Sequence, residues 1–221
     1  MAGPKVILLV STWKPDHDNG VNDVCRGTYI YTWGSFLPYR FVFDRTRSYE
    51  DLLPDEIRVE AESGLLNTSF KTQQAVAWAY EQGYDYVCYA PTDCYIIVPR
   101  LLRSLRWHHD HGHHYWGFHT YDEHHIGGGS GYFLSRKAME AVMWFDVYPD
   151  YEDRWVGTAC QHARIAAVHD ELYRSVEQPY MPDTITTHLS KNSGDYDPES
   201  MRNLHMRVIQ AATYVSDGMV L

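Results

Sequence analysis

The stretch Tyr86-Val-Cys-Tyr-Ala-Pro-Thr-Asp-Cys-Tyr-Ile-Ile-Val98 does most to limit what this chain can fold into. Asp85 to Ala90 reads as a buried strand that breaks at Pro91. A lone carboxylate, Asp93, follows at once, then an apolar run from Tyr95 to Val98 and a helix start at Pro99. In open α/β sheets, ligands bind outside the carboxyl ends of the strands. A carboxylate held there can grip a divalent metal, and the metal can grip a diphosphate. Taken without its neighbours, Pro91-Thr92-Asp93 is an ordinary turn.

A second run, Lys5-Val-Ile-Leu-Leu-Val-Ser11, is apolar at every interior position, as expected of a central strand covered on both faces. The polar segment Thr12 to Asn22 is its carboxyl-end loop. Asn22 or Asp23 can cap a helix carrying Val24, Cys25, Thr28, Tyr31 and Trp33, which Gly34 would end. Tyr39 to Asp44 reads as a strand ending in an acid, and Arg58-Val-Glu60 as a small strand. Asn67 or Thr68 caps a helix from about Ser69 to Gln82, ended by Gly83. Further helices are expected over Pro99 to about Trp107, Arg136 (capped by Ser135) to Trp144, Trp155 to Arg164 and Pro198 to Tyr214. Tyr115 to Phe118 looks like an edge strand, with shorter strands at Tyr132 to Leu134 and Ala166 to Val168. Tyr148 to Asp153 reads as an acidic loop, and the tail from Glu177 to Ser200 as polar and turn-rich. Strands alternating with helices predict one α/β domain over residues 1–221 with a Rossmann-like mixed sheet flanked by helices. Residues 5–105 would form a nucleotide-binding part and residues 106–221 an acceptor-binding part.

The 221 residues carry a formal charge of −10, which argues against a broad electrostatic grip on nucleic acid or an anionic membrane. The cysteines Cys25, Cys88, Cys94 and Cys160 form no CxxC pair and read as free thiols of a reducing compartment. No secretory signal or spanning-length apolar run is present, so a soluble, cytoplasmic protein is expected.

Five pieces, in order, resemble the Fringe-like β-1,3-glycosyltransferases: Arg26-Gly-Thr-Tyr-Ile-Tyr-Thr-Trp-Gly34, Asn67-Thr-Ser-Phe-Lys-Thr72, Pro91-Thr-Asp93 with Val98 to Leu102, Gly127-Gly-Gly-Ser-Gly-Tyr-Phe-Leu-Ser135, and Tyr151-Glu-Asp-Arg-Trp-Val-Gly157. The resemblance covers roughly residues 5 to 170. It implies a GT-A fold, a UDP-sugar donor, Mn²⁺ or Mg²⁺, and inversion at the anomeric carbon. It also implies that Asp93, the last acid of an Asp-Asp-Asp or DxD triplet, is the metal ligand and that Asp153 is the catalytic base. Pro91 and Thr92 stand where the family carries acids. The family's usual membrane anchor is absent, which points to a bacterial or viral enzyme.

Each candidate has a plainer reading beside it. Asp93 is a metal ligand or a solvated turn Asp. His188 supplies a second ligand, with His205 in reserve, or is a surface His. Asp153, helped by Glu152, takes the acceptor proton, or caps a helix. Gly128 and Gly129, in the run Gly127 to Gly131, let backbone approach the donor sugar, or form a hairpin loop. Lys71 pairs with diphosphate or with an acid near Asp93, or is a solvated helix Lys. Thr12, Arg26 and Thr92 lie where uracil and ribose should bind, although Arg26 also suits a structural ion pair. The histidines His108, His109, His111, His113 and His114 are expected in a surface loop, and His124-His125 near the acceptor. The acceptor would be a glycan, a lipid-linked sugar or a hydroxymethylated base of phage DNA. The alternative is a non-catalytic nucleotide-sugar or glycan-binding module.

Overall fold

The computed structural model describes residues 3–120, 122–175, 181–189 and 197–216. In chain order the strands and helices are β1 (Val6–Ser11), α1 (Lys14–Asp18), α2 (Val21–Cys25), α3 (Tyr31–Trp33), β2 (Tyr39–Phe43), β3 (Glu56–Arg58), α4 (Thr68–Glu81), β4 (Tyr86–Pro91), β5 (Cys94–Ile96) and α5 (Val98–Asp110). They continue as β6 (Tyr115–Gly117), β7 (Tyr132–Ser135), α6 (Arg136–Trp144), α7 (Glu152–His162), β8 (Ala167–His169), β9 (Tyr173–Arg174), β10 (Thr186–His188) and α8 (Pro198–Ser216).

Seven strands form the main sheet in the order β3-β2-β1-β4-β7-β6-β8, and β5-β10-β9 form a smaller one. The strands β3, β2, β1 and β4 run parallel. Beyond β4 the sheet turns antiparallel at β7 and β6, so it is mixed. The unbroken apolar run of β1 follows from its place. Val6, Leu8 and Val10 pack into the layer that holds α2, α5 and α8. Ile7 and Leu9 pack into the opposite layer, with α4, α6 and α7. Both faces of β1 are therefore core, and Leu9→Ala would cost about 2–5 kcal/mol through the cavity it leaves.

Several elements differ from the sequence reading. The helix expected from Asn22 or Asp23 starts at Val21, after Gly20 with a φ of +74°, and the helical segment breaks at Thr28, whose φ and ψ are −113° and −107°. The Thr28 hydroxyl donates to the carbonyl of Val24 at 2.6 Å, a side-chain bond that competes with the helical ladder. Gly34 does not end this segment in a left-handed turn, since its φ is −64°. The helix begun at Val98 runs on to Asp110, so His108 and His109 lie on a helix and not in a loop. Tyr115–Gly117 is not an edge strand, because β8 pairs alongside it. Glu152 and Asp153, expected in a loop, form the first turn of α7. The tail expected to be turn-rich supplies β10, while residues 177–180 and 190–196 of it lie outside the described residues. Ser135 does cap its helix, accepting from the amide of Ala138. All four cysteines are free and buried. Among the described residues no helix is long and apolar enough to cross a membrane.

Candidate active site

The chain lays β1, β2 and β3 on one side of the sheet and then crosses β1 to add β4. That crossing leaves a crevice at the carboxyl ends of β1 and β4, the kind of switch point where α/β proteins bind ligands. Ser11, Thr12 and Trp13 from the end of β1, Asp44 from the end of β2, and Pro91, Thr92 and Asp93 from the end of β4 line a cavity of about 210 Å³ there. Thr68 and Lys71 from the first turn of α4, Asp16 from α1 and Glu152 from α7 complete its wall.

Lys71 is buried and its ammonium donates to the carbonyl of Thr12. Burial pulls its pKa down to about 8, against the charges of Asp44, Asp16 and Glu152. It remains mostly a cation at neutral pH, inside a cavity and beside the N-terminal end of a 14-residue helix. Asn67 makes no side-chain cap on that helix, so two sources of positive potential converge. Thr12 is also buried, and its hydroxyl donates to Asn22 Oδ1 at 2.8 Å.

The Thr92 hydroxyl donates to Asp16 Oδ2 at 2.5 Å. Burial raises the Asp16 carboxyl above its ordinary range, the Thr92 bond opposes that rise, and the neighbouring Asp93 charge adds to it. Sequence reasoning missed Asp16. The segment Trp13-Lys-Pro-Asp-His-Asp offers two acids, and only the single turn begun at Pro15 decides between them. It points Asp16 inward and leaves Asp18 paired with Lys14 at the surface.

Asp93 and His188 come from residues 95 apart and meet with Nε2 to Oδ2 at 3.1 Å. The pairing of β5 with β10 sets them together, with Cys94 opposite His188 and the Leu189 amide donating to the Asp93 carbonyl. The side chains are 20% and 25% exposed. One carboxylate and one imidazole suit a hard or borderline divalent ion whose shell is completed by phosphate oxygens and water. Among the described residues no group of three or more His, Cys, Asp or Glu side chains is placed to hold a metal. Asp93 and His188 would supply two donors to such an ion.

The glycine run closes the site from below. A Cβ on Gly128 would stand 1.9 Å from Glu152 Oε1, and one on Gly129 would stand 2.4 Å from His188 Nδ1. Only glycine lets this backbone touch both the α7 acids and His188. The Gly128 amide donates to Asp153 Oδ2 at 3.1 Å, and the Arg154 amide to Asp153 Oδ1 at 2.7 Å. The Glu152 amide donates to the Thr68 hydroxyl. Burial and the Asp153 charge push the Glu152 carboxyl to about 8. Burial also raises Asp153, while its bond from the Gly128 amide and the nearby His125 ring pull the other way. Two crowded carboxyls hold a proton that an isolated one would lose.

The structure therefore brings Thr12, Lys71, Thr92, Asp93, Gly128, Gly129, Glu152, Asp153 and His188 together. Arg26 stands apart. Its guanidinium is held by Asp55 at 2.9 Å and Glu56 at 2.7 Å and lies over the Phe41 ring at 4.4 Å. His205 also lies elsewhere, bonded to Thr32 and Tyr95. His125 bonds Asp122 at 2.7 Å.

The sequence matches no protein-family profile, and no curated protein matches it. Among solved structures it is similar to a glycosyltransferase involved in the glycosylation of the major capsid of PBCV-1. That match has a TM-score of 0.56 at 15% identity and covers 93% of this chain and 100% of that one. A candidate nucleotide-diphospho-sugar transferase from Desulfovibrio desulfuricans gives a TM-score of 0.47 at 11% identity, over 76% of this chain and 80% of that one. The second overlap is too low to carry an argument. The first shows a shared fold: a mixed, seven-stranded sheet flanked by helices, built as in that glycosyltransferase.

Proposed function

We propose that this protein transfers a hexose from a UDP-sugar to an acceptor hydroxyl with inversion at the anomeric carbon. The observation that carries the reading is the make-up of one cavity. A buried lysine and the α4 N-terminus offer positive potential for a diphosphate. Asp93 of a carboxylate–imidazole pair lines the cavity, and so does Glu152 of a carboxyl pair that packs on glycine backbone.

Asp93 and His188 would hold a Mn²⁺ or Mg²⁺ ion, which when bound neutralises charge on the leaving diphosphate. Lys71 adds a fixed cation on the same side. Thr12, Thr92 and Asp16 offer hydroxyl and carboxylate partners to the nucleoside, with Asp16 standing in for the acids that Pro91 and Thr92 displace. Glu152 and Asp153 share the work of the base. The ionised member of the pair takes the acceptor proton as the acceptor oxygen bonds to the anomeric carbon. The anomeric C–O bond breaks, and its electron pair leaves on the diphosphate oxygen. Gly128 and Gly129 keep the base and His188 in fixed relation to the sugar. A glycan acceptor is preferred over DNA because the chain carries a charge of −10. The similar structure belongs to an enzyme of capsid glycosylation, which supports the same preference.

A non-catalytic nucleotide-sugar-binding module is the second reading, favoured by Pro91 and Thr92 in place of acids. The half-buried Glu152–Asp153 pair opposes it, since binding alone does not require two crowded carboxyls. Thermal shift with UDP, UDP-glucose, UDP-galactose and UDP-N-acetylglucosamine, each with and without Mn²⁺, tests the donor assignment, because a ligand of the folded state raises the melting temperature. A Mn²⁺-dependent rise is expected, lost in Asp93→Ala. No rise with any UDP compound would overturn the reading.

A further inference from the structure

A second cavity, of about 760 Å³, opens between α5 and the segments at residues 169–172 and 182–185. Its floor is pre-organised. Asp170 Oδ2 accepts from His108 Nε2 at 3.2 Å and from the Ser104 hydroxyl at 3.3 Å, and Oδ1 accepts from the Leu172 amide at 3.0 Å. His108 is only 1% exposed, and its ring stacks on Trp116 at 4.6 Å, so the carboxylate is held from below. Asp170 keeps 12% of its side chain open, in the groove it lines.

The wall beside it is Trp107, 52% exposed and held by the His111 ring stacked at 4.2 Å. Arg103 and Glu171 also line the groove and carry planar groups with unspent hydrogen-bonding capacity. The charges nearly cancel, with Arg100 and Arg103 set against Asp170, Glu171 and Asp183, one acid in excess. A flat aromatic ring beside one fixed carboxylate, Asp170, and two exposed planar groups matches the two sides of a pyranose, which has C–H groups on its face and hydroxyls on its rim. The volume lies within the range of about 300–1,000 Å³ that takes ligands of di- or trisaccharide size.

We propose that this groove is a binding subsite for a neutral oligosaccharide. One hexose lies on Trp107, and its hydroxyls bond Asp170 and the Arg103 or Glu171 head groups. Ile185 lines the groove and His188 stands three residues further along the chain, through β10, at the candidate active site. At strand spacing that is roughly 10 Å. The groove would then hold the distal part of an acceptor whose end reaches the reacting position. That role rests on the transferase reading; the binding itself does not.

An array of immobilised neutral and acidic di- to tetrasaccharides, probed with the full chain without UDP or Mn²⁺, identifies the probe glycan. Calorimetry then measures it on Trp107→Ala, Trp107→Phe and Asp170→Asn. The expected result is a neutral glycan bound at least tenfold more weakly by Trp107→Ala and by Asp170→Asn, and rescued by Trp107→Phe. The UDP–Mn²⁺ thermal shift of Trp107→Ala should stay as in the parent. Trp107 is a surface residue, so this variant stays informative if Asp170→Asn folds poorly. No neutral glycan on the array, exclusive binding of acidic ones, or unchanged affinity in Trp107→Ala would each overturn the proposal. Glycan binding without any UDP shift would sustain the groove while removing the donor assignment.

Discussion

Two histidine–aspartate pairs in this molecule have almost the same geometry and opposite surroundings. His188 meets Asp93 at 3.1 Å, and His108 meets Asp170 at 3.2 Å. The His188 ring rests on the bare backbone of Gly129, and both partners are partly exposed, with Asp93 lining the cavity. The His108 ring is closed in, stacked on Trp116, with its second nitrogen bonded to His113 at 2.8 Å. What a histidine–carboxylate pair does is therefore set by what surrounds it. An open pair can exchange its mutual bond for a ligand. A pair whose histidine is closed in returns bond energy to stability and holds its carboxylate, Asp170, in one place at the edge of its groove.

The sharpest break of this comparison is to remove each histidine. His188→Ala should cut turnover with a UDP-sugar by about 100-fold or more, the scale on which a lost metal contact acts, while the melting temperature moves little. His108→Ala should do the reverse. Losing a buried ring and two bonds costs about 3 kcal/mol, which is about 6–12 °C for a chain of this size, with the UDP–Mn²⁺ thermal shift preserved. If His188→Ala melts the protein and His108→Ala leaves it intact, the roles are reversed.

A milder test moves the open pair without deleting it. In Gly129→Ala the new Cβ meets His188 Nδ1 at 2.4 Å, so the ring must shift. Turnover should fall by about 10- to 100-fold, as displacement of a positioned group does, and UDP affinity without metal should hold. Unchanged kinetics would show that His188 needs no fixed seat.

The smallest effect concerns pH. Burial and the neighbouring Asp153 push the Glu152 carboxyl from 4.5 to about 8 in the folded chain. The folded state thus binds more protons between those values, and stability falls as pH rises through that window. Glu152→Gln removes the titration. Its melting temperature should exceed the parent's by more at pH 8 than at pH 5, a difference worth about 1–2 kcal/mol after allowing for the solvent-facing edge of the side chain. A constant difference would mean that Glu152 is ionised throughout.

The comparison also shows what the sequence makes legible. The strands β1 and β4 could be read because both their faces are core, so their residues are apolar without interruption. Asp93 could be read because the chain must turn just after such a strand. His188 was readable only through a resemblance, since its partner lies 95 residues away and their meeting depends on the antiparallel pairing of β5 with β10. Asp16 was hidden for a similar reason, as a single turn from Pro15 chooses it over Asp18. The run His108 to His114 misled in the other direction. Its polarity suggested a loop, yet α5 carries His108 into the core, where Asp170, distant in sequence, satisfies it. Arg26 matched a motif of the resembling family, but the acids that hold it, Asp55 and Glu56, come from a segment whose course the sequence did not show.

The central claim is that Asp93 and His188 form a metal-assisted centre for breaking a sugar–diphosphate bond. Release of UDP from a UDP-sugar in the absence of acceptor, followed with and without Mn²⁺ in the parent and in Asp93→Asn, tests it most directly. The account predicts Mn²⁺-dependent release that chelation stops and that Asp93→Asn lowers by about 100- to 1,000-fold at unchanged melting temperature. Release that is indifferent to both Mn²⁺ and Asp93→Asn would contradict it.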